Sequence, residues 1–201
     1  MEGKKRFVLG SSSAIRFTLI QSLLKKEDFD VHPPDIDEEV LDKELPREYV
    51  KRIAEAKAEK VSRTVDNEYV ICADTAVALG RRILPKAVSD DLVRQCLKQL
   101  SGRRHRVYTC LCVIRRSLNA DGVQHVKRVK VVESRVRFKR LTQHEIQWYV
   151  DSKEGLDKAG GYSIYGKSQA LILFLSGSVS GVQGLPLLEL KNLLTSVGVD
   201  V

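Results

Sequence analysis

A mixed α/β fold, one twisted sheet with flanking helices, is predicted by three observations on this 201-residue sequence. Short apolar runs at Arg6–Gly10 and Tyr69–Leu79 suit buried strands. The segment from Pro46 repeats its apolar residues at helical spacing, through Val50, Ile53, Ala54, Ala58 and Val61. Val131–Arg140 alternates instead, with Arg135, Arg137 and Lys139 on one face and Val136 and Phe138 on the other, as in a half-buried strand. Strands interleaved with helices imply a layered α/β sheet, read here as a single unit over residues 1–201.

The elements follow in order. Strand Arg6–Gly10 leads through Ser11, Ser12 and Ser13 into an amphipathic helix reaching about Lys26. Phe29–His32 reads as a second strand and Asp35–Glu39 as an acidic loop. Pro46 opens the long helix, roughly Arg47 to Val65, because proline suits a first helical turn. After Tyr69–Leu79, a turn at Gly80–Arg81 leads back through Ile83–Leu84 to Lys86. A helix from Ser89 to Leu100 ends at Ser101–Gly102. Arg106–Arg115 and Lys127–Phe138 read as paired strands joined by a polar loop at Ser117–Gly122. Thr142–Ser152 is a helix, with Glu145 at the capping-box spacing from Thr142. A glycine-rich segment, a strand at Ala170–Leu175, a Gly/Ser loop and a helix from Pro186 complete the chain.

Hydrophobic residues make up 43% and charged residues 30%, a balance typical of globular proteins. No apolar run is long enough to span a bilayer, and Met1–Arg6 carries no signal-peptide core, so a cytoplasmic protein is expected. Cys72, Cys96, Cys110 and Cys112 sit in apolar surroundings without CxxC spacing, which predicts buried free thiols rather than a zinc site. The formal charge of +8 admits anionic partners. No RNP-type segment or finger spacing accompanies it, so a phosphorylated small molecule is favoured over nucleic acid.

Three features break the local pattern. Asp74 and Thr75 interrupt the apolar strand, and a buried carboxylate needs a metal, a cation or a hydrogen-bond network; a structural, turn-capping aspartate is the alternative. Lys57 falls inside the apolar stripe of its helix, where it either serves a site or snorkels to water. Ser11–Ser13, with Arg16 one turn on, form a strand–helix junction able to cap a helix or bind an anion. The acidic loop Asp35–Glu39 can hold a hard cation or merely favour solubility.

The residues that carry these features resemble the Maf family of nucleotide pyrophosphatases, also called septum-formation inhibitors, nearly end to end. Leu9–Gly10–Ser11–Ser12–Ser13–Ala14–Ile15–Arg16 is similar to LASxSPRR, and Asp35–Ile36–Asp37–Glu38 to the acidic segment after the second strand. Ala54–Glu55–Ala56–Lys57–Ala58 resembles A-xx-KA, Ala73–Asp74–Thr75 resembles ADT, and Ile83–Leu84–Pro85–Lys86 the following lysine segment. The stretch from Leu100 to Thr109 resembles LSGrxHxVxT. Asp157–Ile164 resembles KAGaYgIQG, and Gly184–Leu185–Pro186–Leu187 the GLP near the end.

The resemblance implies a two-lobed fold around a central cleft, often a homodimer. It implies hydrolysis of a nucleoside triphosphate to monophosphate and pyrophosphate with a divalent cation, Mg²⁺ or Mn²⁺. Carried over, Asp74 accepts a proton from the attacking water and, with Glu38, holds the metal. Lys86 is the second catalytic group and grips the triphosphate, with Arg16, Lys57, Ser11 and Ser13 as further substrate contacts. A regulator that keeps the fold but acts by binding is the alternative. The sequence departs from the family at Ala14 and Ile15 (Pro and Arg), at Ala87 (Pro) and at Tyr165 (Gln). Ile15, Thr75 and Tyr165 occupy the positions associated with base choice. Thr75 leans toward thymidine and uridine triphosphates, whereas the other two predict a broader or shifted preference.

Overall fold

The computed structural model describes residues 6–119 and 122–200. Residues 1–5, on which most of the reading of the chain's start rests, lie outside the described residues, as do Ala120 and Asp121 of the expected loop and Val201.

Seven strands form one mixed sheet: β1 Phe7–Leu9, β2 Phe29–Val31, β3 Tyr69–Leu79, β4 Arg82–Ile83, β5 Arg104–Asn119, β6 Gly122–Phe138 and β7 Ile172–Ser176. Their order is β2-β1-β3-β5-β6-β7, with β4 paired to β3. β1 runs parallel to both β2 and β3, and the remaining pairs are antiparallel. The helices are α1 Ala14–Ile20, α2 Pro46–Thr64, α3 Asp90–Leu100, α4 Gln143–Asp151, α5 Val179–Val182 and α6 Leu187–Ser196.

Each helix is placed by its apolar face. The predicted stripe of α2 is buried from Val50 to Val61 against the face of β3 and β5 that carries Cys72, Cys110 and Cys112. The opposite face takes α1 and α6 over Leu9, Ile71, Leu111 and Val113. A third cluster joins α3 and α4 to Val107, Val136 and Phe138 at the far end of the hairpin. The alternation at Val131–Arg140 holds, since Val136 and Phe138 are buried while Arg135 and Arg137 are exposed. All four cysteines are free and buried. No helix among the described residues is long and apolar enough to cross a membrane.

Two expectations change. The first helix stops at Ile20, followed by turns that return Ser22, Leu23 and Leu24 to Leu19 and Ile20 carbonyls, instead of running to Lys26. The β5–β6 hairpin extends far past Arg115, pairing Ser117 with Gln124 where a loop was expected. Backbone pairing carries these strands beyond the apolar stretch that made them readable in the sequence.

Candidate active site

The sheet and α2 bring distant residues to a cavity of about 580 Å³, lined by segments from residue 10 to residue 184. It lies at the seam between two packed bodies: Tyr49 and Ala76 come from the core around α2, and Val77, Leu84 and Tyr162 from the core around α3 and α4. This is the cleft that the two-lobed expectation required.

Asp74 sits in the middle of β3, opposite Cys110, on the face that α2 covers. From α2, Lys57 reaches it: Lys57 Nζ donates to Asp74 Oδ1 at 2.8 Å and stands 2.8 Å from Glu38 Oε1. Lys57 is 7% exposed and Asp74 5%, so the amine is held by carboxylates rather than snorkelling to water. Glu38 is presented by the acidic loop, whose backbone is tied to α2 by the Tyr49 hydroxyl, donating to the Glu38 carbonyl at 3.1 Å. Burial raises the Asp74 carboxyl above the usual carboxylate range, while the Lys57 and Arg16 cations pull it back. Its second oxygen, Oδ2, is buried without a hydrogen-bond partner among the described residues. A group of this kind is a candidate base or metal ligand rather than a satisfied structural aspartate.

The fit to a divalent cation rests on that orphan oxygen and on the presence of a second carboxylate, Glu38, which shares the Lys57 amine with Asp74. No cluster of three or more His, Cys, Asp or Glu residues able to hold a metal occurs among the described residues. Two carboxylates with the remaining positions left to phosphate and water is the coordination that Mg²⁺ accepts, so the donor set fits such an ion.

Arg16 is anchored on three sides. Its Nε donates to the Gly184 carbonyl at 2.8 Å, Nη1 to Ser11 Oγ at 3.3 Å and Nη2 to Thr75 Oγ1 at 3.1 Å. Guanidinium has five N–H groups, so two remain for a ligand. The approach to residue 184 needs glycine: its φ is +108°, and a Cβ there would lie 3.1 Å from Arg16 Nε. Burial draws Arg16 below the ordinary arginine value, opposed by the Asp74 charge. Ser13 caps α1 by accepting from the Arg16 backbone N–H, and Ser11 accepts from both Ser13 N and Arg16. Both hydroxyls keep a proton to donate. α1 has only seven residues, so its dipole adds less than the longer expected helix would have given.

Lys86 also lines the cavity, with its side chain 64% exposed and 3.7 Å from Asp157. Its backbone is zipped to the Asp157–Gly160 strap through an antiparallel bridge with Ala159, with Ala87 N donating to Lys158 O and Gly160 N to Pro85 O. Gly160 turns at φ +66° where a Cβ would meet Val77 at 2.8 Å.

Of the three positions tied to base choice, Ile15 and Thr75 line the cavity. Tyr165 does not: it is 48% exposed at the start of a 3-10 turn, Gly166–Ala170, and its neighbours Ser163 and Ile164 reach the cavity instead. Its expected role in specificity is therefore unsupported. Sequence reasoning missed Tyr49, Asp157, Thr109 and Gln183. Tyr49 was readable, because it lies eight positions before Lys57 on one face of α2. Thr109 closes the Leu100–Thr109 motif, but its donation to the carbonyl of Gly181 at 2.7 Å, across 72 residues, could not be read there.

Comparison with known proteins agrees with this arrangement. The nucleoside triphosphate pyrophosphatase of Neorickettsia sennetsu (strain ATCC VR-367 / Miyayama) is 47% identical over 195 residues, covering 96% of this chain and 88% of that protein. The protein of the same name from Rickettsia felis (strain ATCC VR-1525 / URRWXCal2) is 45% identical over 195 residues, covering 96% and 94%. That from Orientia tsutsugamushi (strain Boryong) is 44% identical over 197 residues, covering 96% and 92%. The family model described as Maf-like protein matches residues 6–197, which takes in every strand, every helix and all the cavity-lining residues: the chain belongs to the Maf-like protein family.

Proposed function

We propose that this protein is a nucleoside triphosphate pyrophosphatase that cleaves between the α- and β-phosphates, removing unwanted nucleotides from the cytoplasm. The observation that carries this reading is the Glu38–Lys57–Asp74 cluster, joined by two 2.8 Å contacts, in a cavity that also presents Arg16 and Lys86. The relatives named as nucleoside triphosphate pyrophosphatases support it. Four buried free thiols fit a reducing compartment.

In this reading Asp74 takes a proton from water as the water oxygen bonds to the α-phosphorus. The bond to the α–β bridging oxygen breaks, and its electrons leave with pyrophosphate. Burial above the ordinary carboxylate range makes Asp74 a better base for that step. Glu38 and Asp74 would hold a divalent cation, Mg²⁺ or Mn²⁺, which supplies charge neutralisation at the phosphates. Lys57, Lys86 and the two unused N–H groups of Arg16 stabilise charge on the non-bridging oxygens and the departing pyrophosphate. Ser11 and Ser13 can each donate one hydroxyl proton to a phosphate oxygen.

Purified protein with Mg²⁺ or Mn²⁺ should release pyrophosphate from at least one natural triphosphate, and a chelator should stop it. Orthophosphate alone, or no product across a panel of natural and modified triphosphates, overturns the reading.

A further inference from the structure

Thr75 was expected to read the base, yet its hydroxyl is already committed. Thr109 Oγ1 donates its only proton to the Gly181 carbonyl at 2.7 Å. The 3.0 Å contact between Thr75 Oγ1 and Thr109 Oγ1 must therefore use the proton of Thr75. Thr75 also accepts from Arg16 Nη2 at 3.1 Å, so it has no proton left to offer a base.

The other neutral hydrogen-bonding groups of the cavity can be sorted in the same way. The Tyr49 hydroxyl donates to the Glu38 carbonyl, and that of Tyr162 lies 2.7 Å from His105 Nε2. Ser11 and Ser13 sit at the Arg16 anchor, on the charged side of the site. Gln183 remains. It is the one carboxamide among the lining residues, and its side chain has no hydrogen-bond partner among the described residues. Its backbone is fixed, with N–H donating to Val179 O at 3.2 Å as the C-cap of α5. The next residue, Gly184, is gripped by Arg16. A free amide on a fixed backbone, in a cavity also lined by the uncharged side chains of Ile15, Ile164 and Val182, offers the surroundings that a neutral, flat base requires.

Resting on the nucleotide reading above, we infer that Gln183 contacts the substrate's base, and that it does so permissively. A carboxamide presents one acceptor and two donors, matching any base edge with a donor beside an acceptor. Nothing fixes which way round the amide points, so rotation lets it serve purines and pyrimidines alike. Discrimination then comes from cavity shape and stays small.

The test is equilibrium binding, with Mg²⁺, of the α,β-methylene analogues of UTP, CTP, ATP and GTP, and of inorganic tripolyphosphate as a probe without a base. The wild-type protein should bind the four analogues within about tenfold of one another. Gln183→Leu should weaken all four by about tenfold, the worth of one to two hydrogen bonds, and leave tripolyphosphate within about twofold. Gln183→Met, a second apolar variant of similar length, should reproduce this. The inference is overturned by nucleotide affinities that do not change, by an equal fall for tripolyphosphate, or by a wild-type preference above about a hundredfold. Binding is read without turnover, so a protein that binds the analogues as expected but releases no pyrophosphate sinks the proposed reaction and leaves Gln183 standing.

Discussion

Lys57 Nζ and Asp74 Oδ1 stand 2.8 Å apart, an ion pair between two side chains that are each less than a tenth exposed. With the amine tied in the same way to Glu38, the three groups form one charged unit whose parts cannot be removed independently. Removing Asp74's charge tests the chemistry most directly. Asp74→Asn is nearly isosteric, and Glu38 still accompanies the lysine, so the fold should persist. Turnover should fall on the order of a hundredfold or more, measured as pyrophosphate release. Near-normal rates in a folded variant would return Asp74 to a structural role.

The opposite half of the pair gives a stability prediction. From the sequence alone, replacing a lysine within an apolar stripe by methionine looks stabilising. The structure reverses that sign, because Lys57→Met leaves the Asp74 carboxylate buried with only Arg16 nearby. Breaking such a pair costs on the order of 3 kcal/mol at neutral pH. Asp74, already raised by burial, should rise further once the lysine is gone. A carboxyl whose folded value is raised favours folding below its unfolded value, and that contribution is lost as pH climbs through the folded value. The variant's deficit against wild type should therefore be large at pH 8 and shrink on acidification. Urea titrations at several pH values measure it; a deficit that does not depend on pH contradicts the account.

A third prediction concerns Thr109, which touches Thr75 and Gly181 and, through them, both ends of the Arg16 anchor. Thr109→Val keeps the shape and removes both bonds, leaving the Thr75 hydroxyl proton without its acceptor and the Gly181 carbonyl with only the Gly184 N–H at 3.0 Å. Stability should drop by roughly 1–3 kcal/mol. KM should rise more than kcat falls, because Arg16 loosens without any loss of the base or metal ligands. Thr109→Ser, which retains the hydroxyl, should behave nearly as wild type. Equal damage from both substitutions would mean that packing, not the relay, matters at this position.

How much of this was legible in the sequence follows from the range of each interaction. The α2 stripe and the apolar run of β3 were readable because burial imposes a period on neighbouring residues. Asp74 and Lys57 stood out as violations of those periods. Arg16 and the acidic loop with Glu38 gave only ambiguous local signals, and their roles, like that of Lys86, came through family resemblance. The hairpin beyond Arg115 was underestimated because paired backbone needs no apolar side chains. Tyr165 does not line the cavity, whereas Ser163 and Ile164 do, before the backbone turns away into the 3-10 segment. The Thr109 contacts with Thr75 and Gly181, and the placing of Gln183 at the cavity, are made only by the folded chain, and local sequence is silent about them.

The last prediction follows from His105, which is 2% exposed, stacks on Phe138 at 5.8 Å and meets the Tyr162 hydroxyl through Nε2 at 2.7 Å. Burial pushes its imidazole down to about 4, and Nδ1 has no hydrogen-bond partner among the described residues, so the folded protein holds it neutral. Unfolding returns it to an ordinary value near 6.5, where it takes up a proton. Between these two values the unfolded chain binds more protons than the folded one, so stability rises with pH across this window and is lost as pH falls from about 6.5 toward 4. The full span corresponds to roughly 3 kcal/mol from this one residue. His105→Gln cannot titrate, so it should cost stability at pH 7.5 through lost stacking and repacking, yet fall less steeply on acidification. The free-energy gap between the two proteins should narrow steadily from pH 6.5 to pH 4.5, read from urea midpoints at half-unit steps. Tyr162 lines the cavity, and the same substitution should raise KM at pH 7.5 more than it lowers kcat, because the ring loses the partner that fixes its tilt. A gap that stays constant across the acid range would show that His105 takes up its proton equally in the folded and unfolded chains, and the argument from burial would fail.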